Sequence, residues 1–232
     1  ACVFSDSSVA VSRQINLNVF TPAMVIFQMN SKVPIVLLKS KFLNQCVAMK
    51  ELRRKLRRLR KSLSQPVRHK KGKKLLYQCQ KAGVFRNAKH IAIFTPNDGE
   101  VETKNIIKFL TLQGHSVYFP ILIGEKLKFA KVGQYFQKNR FGIDEPLFTP
   151  LVGAHEMNLI LMPLVGFDKH KNRMGMGGGF YDKTLAFKTQ QNKFNKPKLF
   201  ALAFNCQEVD QLDVKPWDIP VDGIITPTRF IR

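Results

Sequence analysis

The segment Asn158-Leu-Ile-Leu-Met-Pro163 restricts the fold more than any other stretch of this chain. Successive side chains of a strand point to opposite faces, so an uninterrupted apolar run must be buried on both. Such a strand belongs in the middle of a parallel sheet with helices on each side. Neighbouring segments agree. His90-Ile-Ala-Ile-Phe94 is a short apolar run ended by Thr95-Pro-Asn-Asp-Gly99, which reads as strand and then turn. Ile106, Ile107, Phe109 and Leu110 follow at helical spacing from a start near Thr103, and 114–120 repeats the strand pattern. Residues 127–132 alternate like one arm of an exposed hairpin, and 199–203 and 223–226 supply two more strands. Alternating strands and helices imply an α/β fold, a three-layer α/β/α arrangement with a mostly parallel central sheet.

Directly after the central strand comes Val165-Gly-Phe-Asp-Lys-His-Lys-Asn172 and then Arg173-Met-Gly-Met-Gly-Gly-Gly-Phe-Tyr-Asp182. Four of the chain's 14 glycines fall within those last ten residues. Glycine tolerates positive φ and lets a ligand approach the backbone, and a glycine run entering a helix offers free N–H groups to phosphate. Arg173 adds a fork of donors and Asp182 a hard oxygen ligand. Two familiar phosphate loops fail by one residue. A dinucleotide fingerprint from Gly175 needs glycine where Phe180 stands, and a Walker loop from Gly177 needs glycine where Asp182 stands. A glycine-rich structural turn is the competing reading.

The charge is +22 and unevenly spread: between Lys50 and Lys74 stand 13 Lys or Arg and one acid, Glu51. Leucines 52, 56, 59 and 63 form one stripe of a basic amphipathic helix over 50–64, and a second helix is expected over about 70–85. A cationic face of this kind suits nucleic acid, membrane phosphate, a small anionic substrate or plain solvation, and charge alone does not choose among them. Arginine favours bidentate phosphate contact, which makes Lys50 and Arg53 nucleotide candidates. Glu100 follows a strand end, where open α/β sheets bind ligands, but it equally suits a helix start.

With 232 residues and 44% hydrophobic content, the chain can bury one core. Residues 1–48 carry one acid, Asp6, and no sustained period, so they read as an extension outside the fold, disordered or translated from an early start, with a targeting leader as the alternative and the domain over 49–232. The four cysteines show neither paired nor zinc-ligand spacing, and no run of 18 apolar residues suggests a membrane span.

Taken together, 163–182 resembles the signature of the 5-formyltetrahydrofolate cyclo-ligase family, also called 5,10-methenyltetrahydrofolate synthetases. The order is strand, Gly-Phe-Asp turn, arginine, alternating glycines, then aromatic-Tyr-Asp. Further matches are Lys50 and Arg53 on the first helix, Glu100-Val-Glu-Thr103 and Val221-Asp222. The resemblance implies a cytoplasmic, monomeric ligase. It would use ATP and magnesium to cyclise 5-formyltetrahydrofolate to 5,10-methenyltetrahydrofolate, with no nucleic-acid or membrane partner. It implies catalytic roles for Arg173 and Lys50. It assigns nucleotide binding to Lys50, Arg53, Arg173, Met174, Gly175, Met176, Gly177, Gly178, Gly179, Phe180 and Tyr181. It places Thr95, Glu100 and Phe141 against the folate, and Asp182 with Asp222 on magnesium. The chain departs from the family pattern at Met176 and Phe180, losing a cation at the first and a hydroxyl at the second.

Overall fold

The structure, a computed structural model, describes residues 35–133, 135–139, 142–147, 149–190 and 197–232. Residues Phe42–Arg232 form one compact unit; of the other, Ala1–Lys41, only the start of a helix is described. The elements run α1 (Ile35–Lys61), α2 (Gln65–Lys81), β1 (His90–Ile93), α3 (Lys104–Leu112), β2 (Ser116–Ile123) and β3 (Lys126–Lys131). Then come β4 (Phe136–Lys138), β5 (Asp144–Pro146), β6 (Leu151–Val152), β7 (Leu159–Pro163), β8 (Gly166–Phe167) and β9 (Arg173–Met174). The chain finishes with α4 (Phe180–Leu185), α5 (Phe187–Gln190), β10 (Lys198–Leu202), β11 (Gly223–Ile225) and β12 (Phe230–Ile231).

Eight strands form one sheet in the order β12-β11-β10-β7-β1-β2-β3-β6. The inner pairings β11/β10, β10/β7, β7/β1 and β1/β2 are parallel; β12, β3 and β6 join antiparallel at the margins. The apolar run 158–163 is therefore central, as its composition requires. Alternate residues divide between two cores. Ile91, Ile93, Leu159 and Leu161 face Leu75 and Cys79 of α2 and Ile106 and Leu110 of α3. Ala92, Ile160 and Met162 face Leu185 of α4 together with Ile219 and Val221. These two layers over one sheet make the three-layer α/β/α architecture.

Chain order places the functional edge. From β1 the chain steps outward to β2, then crosses back to β7 on the other side of β1, so the strand order reverses between β1 and β7. Segments leaving the carboxyl ends of two such strands diverge and leave a crevice. Here they are the Asn97–Glu100 turn and the stretch from Leu164 to the glycine run.

Several expectations are corrected by packing. Helix α1 begins at Ile35, well before the expected start at residue 50; residues 1–34 lie outside the described residues. Helix α2 starts at Gln65, where Pro66 occupies the first turn that lacks N–H acceptors anyway. The arm 127–132 is a hairpin arm, β3 pairing antiparallel with β2, but it is not an exposed one: β3 lies between β2 and β6 with Phe129 and Ala130 fully buried. No helix among the described residues is long and apolar enough to cross a membrane.

The leucine stripe of α1 serves the crevice more than the sheet. Leu56 is buried against Val165, Met174 and Leu212, with Met49 and Leu52 beside it. Burying one such leucine contributes roughly 1.5–3 kcal/mol, and it seats α1 on the β8–β9 hairpin. Gly166 makes that approach possible, since a Cβ there would stand 2.6 Å from Leu56 Cδ1. Gly166→Ala is therefore expected to destabilise the protein by about 1–3 kcal/mol through overpacking, read as a lowered urea midpoint at constant m; an unchanged midpoint would show that α1 is not seated there.

Candidate active site

Arg60, on the last turn of α1, has no exposed surface. Its Nε donates to Asp98 O at 2.9 Å, one terminal nitrogen to Leu164 O at 3.1 Å, and the other to Asp98 Oδ2 at 2.8 Å. The last nitrogen also lies 3.7 Å from Glu100 Oε1 and 3.8 Å from Met176 Sδ. One guanidinium thus ties α1 to the turn after β1, to the exit of β7 and to the glycine run.

The turn it holds is shaped locally. Asp98 and Gly99 both have positive φ, 50° and 76°, and Glu100 N donates to Asn97 O at 2.9 Å. Asp and Gly at two such positions are the favoured choice for this tight turn. A Cβ on Gly99 would press on Lys61 of α1 at 3.1 Å. Asp98 receives Arg57 through two bonds of 2.7 and 2.9 Å, Arg60, and the Lys61 ammonium. Chiefly through the Arg57 hydrogen bonds, these cations hold its carboxyl far below the usual carboxylate range. Arg60 therefore faces inward, and Arg57, with its side chain 39% exposed, is bound to the same carboxylate.

Glu100, two residues on, behaves oppositely. Its side chain is 11% exposed, and burial pushes its carboxyl up to about 7 against the pull of the Arg60 charge and the Asn97 N–H. The Glu100 charge is felt by Tyr181, whose phenol is raised by burial first and by Glu100 second. The post-β1 turn and the glycine run therefore face each other across Arg60. Thr95 is half-buried nearby in sequence, with a buried Oγ1 that has no hydrogen-bond partner among the described residues. Phe141 lies outside the described residues.

The glycine run borders a cleft of about 340 Å³. Lys50 and Arg53 line it from α1, Arg173 and Met174 from β9, and Gly175, Gly177 and Gly179 from the loop. Gly177 and Gly179 take φ of 110° and 65°, closed to other side chains. No backbone N–H from Gly175 to Gly179 donates to an acceptor among the described residues. Arg53 Nε braces the loop through Gly175 O at 2.9 Å, and burial lowers its pKa. Arg173 is 5% exposed, pairs with Asp182 Oδ1 at 2.6 Å, lies 5.8 Å over the Tyr181 ring, and keeps a buried Nε without a partner among the described residues. Phe180 and Tyr181 turn toward the core beneath, and Gly178 packs so near the Phe180 ring that a Cβ would approach it to 2.7 Å. Met176 is half exposed. The helix after the loop is only the six residues of α4, interrupted before α5.

Asp182 lines the cleft and Asp222 does not. Asp222 accepts Leu199 N at 2.7 Å and lies 3.5 Å from Lys198 Nζ, at the amino end of β10 and away from the carboxyl edge. Two carboxylates share the cleft with Asp182: Asp213, which is paired with the Lys215 ammonium at 2.8 Å, and Asp218. Burial raises the Asp218 carboxyl, and the Asp182 charge adds to the rise. Asp182 Oδ1 is taken by Arg173 and Ile219 N, leaving Oδ2 without a hydrogen bond among the described residues. Those residues include no group of three or more His, Cys, Asp or Glu side chains able to hold a metal by themselves.

The sequence reading missed Arg60, Asp98, Asp218 and two supports. Buried Asp168 accepts His170 N, Asn172 N and Nδ2, and Leu212 N, which folds the turn between β8 and β9. Gln207 Nε2 donates to Leu164 O and Val165 O. The Asp-Gly pair signalled the turn, but its three cationic partners are more than 35 residues away. Arg60→Met should cost about 1–3 kcal/mol, since it leaves Asp98 O without its donor and takes one of three cations from the Asp98 carboxylate, measured by chemical denaturation; a loss below about 0.5 kcal/mol would show a charge of little structural use.

The chain matches the 5-formyltetrahydrofolate cyclo-ligase family over residues 46–227. It is 34% identical over 182 residues to the 5-formyltetrahydrofolate cyclo-ligase of Haemophilus influenzae, covering 75% of this chain and 95% of that enzyme. Among solved structures, it resembles the 5,10-methenyltetrahydrofolate synthetase of Aquifex aeolicus with a TM-score of 0.69 and 27% identity, covering 79% of this chain and 92% of that one. The corresponding synthetase of Mycoplasma pneumoniae gives a TM-score of 0.61 and 26% identity over 77% of this chain and 98% of that one. With a relative above 30% identity matched over nearly its whole length, and the family matched across the crevice and its glycine loop, this chain belongs to the 5-formyltetrahydrofolate cyclo-ligase family.

Proposed function

We propose that the protein converts 5-formyltetrahydrofolate to 5,10-methenyltetrahydrofolate at the expense of ATP, releasing ADP and phosphate. The observation that carries this reading is the row of undonated N–H groups from Gly175 to Gly179 beside Arg173, Arg53 and Lys50, facing the buried Glu100 across Arg60. The loop suits a polyphosphate and the carboxylate suits a heterocycle with adjacent N–H donors.

A formamide carbon is a poor electrophile because its nitrogen donates into the carbonyl. Transfer of the γ-phosphoryl group to the formyl oxygen, with ADP leaving, turns that oxygen into a leaving group. N10 then attacks the same carbon, loses its proton and expels phosphate. Phosphoryl transfer asks for positioning and charge neutralisation above all. The loop N–H groups and the orphaned Arg173 Nε hold the phosphate oxygens, Lys50 and Arg53 flank them, and Arg173 answers charge that builds during transfer. Met174, Met176, Phe180 and Tyr181 shape the loop from below and beside it. Glu100, with Thr95 near it, receives the pterin N–H donors.

The donor set also fits a hard divalent cation: Asp182 and Asp218 offer carboxylate oxygens in the same cleft as the phosphate cradle. Magnesium held by these two would neutralise the phosphate charge. Asp222 has no part in this.

Incubation with 5-formyltetrahydrofolate and Mg-ATP should give the near-ultraviolet absorbance of the methenyl product. No ATP-dependent rise from folded protein would overturn the reading. Asp218→Asn should raise the magnesium concentration for half-maximal rate by about tenfold or more, in the range seen when metal-site partners are lost, whereas Asp222→Asn should not; the reverse pattern would restore Asp222 to the site.

Glu100 supplies a pH test with a defined sign. Its folded-state value of about 7 lies above the ordinary 4.5, so ionising it destabilises the folded protein, little below pH 4.5 and fully above pH 7. Glu100→Gln should therefore raise Tm at pH 8 more than at pH 5 while abolishing folate turnover. Equal Tm changes at both pH values would show an unperturbed carboxylate.

A further inference from the structure

We infer that Trp217 is the platform on which the nucleotide base stacks, and thereby the residue that makes this cleft select a nucleoside triphosphate over bare polyphosphate. The inference rests on the proposed reading of the glycine loop as the phosphate cradle. Trp217 is the chain's single tryptophan and is 68% exposed, yet it lines the same cleft as Gly175, Gly177 and Gly179. An indole is costly to leave in water and is the side chain best suited to cover a flat heterocycle.

The cleft has two chemically different walls. One is the glycine loop with Arg173, Arg53 and Lys50; the other is the 212–220 segment, where Leu212, Val214, Trp217, Ile219 and Pro220 stand among Asp218 and the mutually paired Asp213 and Lys215. A ligand with one charged and one planar apolar end matches that division. Sequence adjacency orders the two ends. Asp218, which shares the phosphate end with Asp182, directly follows Trp217, so the indole flanks the phosphate site within one residue.

The indole is also held ready. Lys215 N donates to Asp218 Oδ2 at 2.8 Å and Asp218 N donates to Lys215 O at 3.0 Å, closing a turn around Pro216 and Trp217. Proline fixes φ at the first central position. Lys215 Nζ is anchored on Asp213 at 2.8 Å. A ring presented on such a turn loses little freedom when a base covers it. Every base has a π-face, so stacking discriminates by ring size: purines bind better than pyrimidines, with little difference between adenine and guanine.

Because Trp217 is the only indole, its fluorescence reports the contact directly. ATP and GTP should quench it, while inorganic tripolyphosphate at saturating concentration should not. Trp217→Ala should weaken ATP binding by calorimetry about tenfold or more, and Trp217→Phe should recover part of the loss. In the coupled assay, the alanine variant should raise KM for ATP far more than it lowers kcat. Calorimetric binding of ATP without quenching, or equal quenching by tripolyphosphate, would overturn the inference and leave the phosphate reading standing. Absence of any ATP binding, with 5-formyltetrahydrofolate present, would overturn both.

Discussion

The buried guanidinium of Arg60 is the interaction on which the crevice depends. Removing a charge from water is so unfavourable that it persists only where each donor is met. Here the partners come from the turn after β1 and from the exit of β7, the two strands between which the sheet order reverses. Without that tie, the loops would diverge as the topology dictates, and α1 would hold each loop separately, the turn after β1 through Arg57 and Lys61 and the glycine run through Arg53. The guanidinium also touches the edges of both functional loops, through Glu100 on one side and Met176 on the other.

Two carboxylates in one turn are driven in opposite directions by this arrangement. Asp98 gathers Arg57, Arg60 and Lys61 and stays ionised, while Glu100, facing the interior, is pushed up to about 7 by burial. Asp98 neutralises the cations that α1 brings to the crevice. Glu100 is left as the group with unused hydrogen-bonding capacity and a large desolvation cost. Such separation of neighbouring acids by environment is a pattern of functional sites.

The glycine loop is flexible in composition but braced in place. Asp168 closes the turn between β8 and β9, Gln207 satisfies the carbonyls at the exit of β7, and Arg53 and Arg173 grip the loop itself. The bracing uses side chains and carbonyl oxygens, and leaves the N–H groups from Gly175 to Gly179 free for a ligand. The crevice is thus prepared before any ligand arrives, which reduces what binding must order.

The sequence alone determined the α/β class, the central position of 158–163, and the place of the glycine run directly after that strand. These follow from short-range physics: alternation along strands, helical spacing of leucines and the turn preferences of glycine, aspartate and proline. The signature from Pro163 to Asp182 also identified the family. Tertiary structure decided what local pattern cannot encode. It bound Arg57 and Arg60 to Asp98, which lies within reach only once α1 crosses the sheet edge. It placed Asp218 beside Asp182 and sent Asp222 to the amino end of β10, a distinction invisible to spacing because both follow Trp217 within a few residues. It inserted β3 into the sheet, since β6 supplies a partner from a distant segment. In each case the deciding energy is desolvation or pairing between residues far apart in the chain, and only the fold sets those distances.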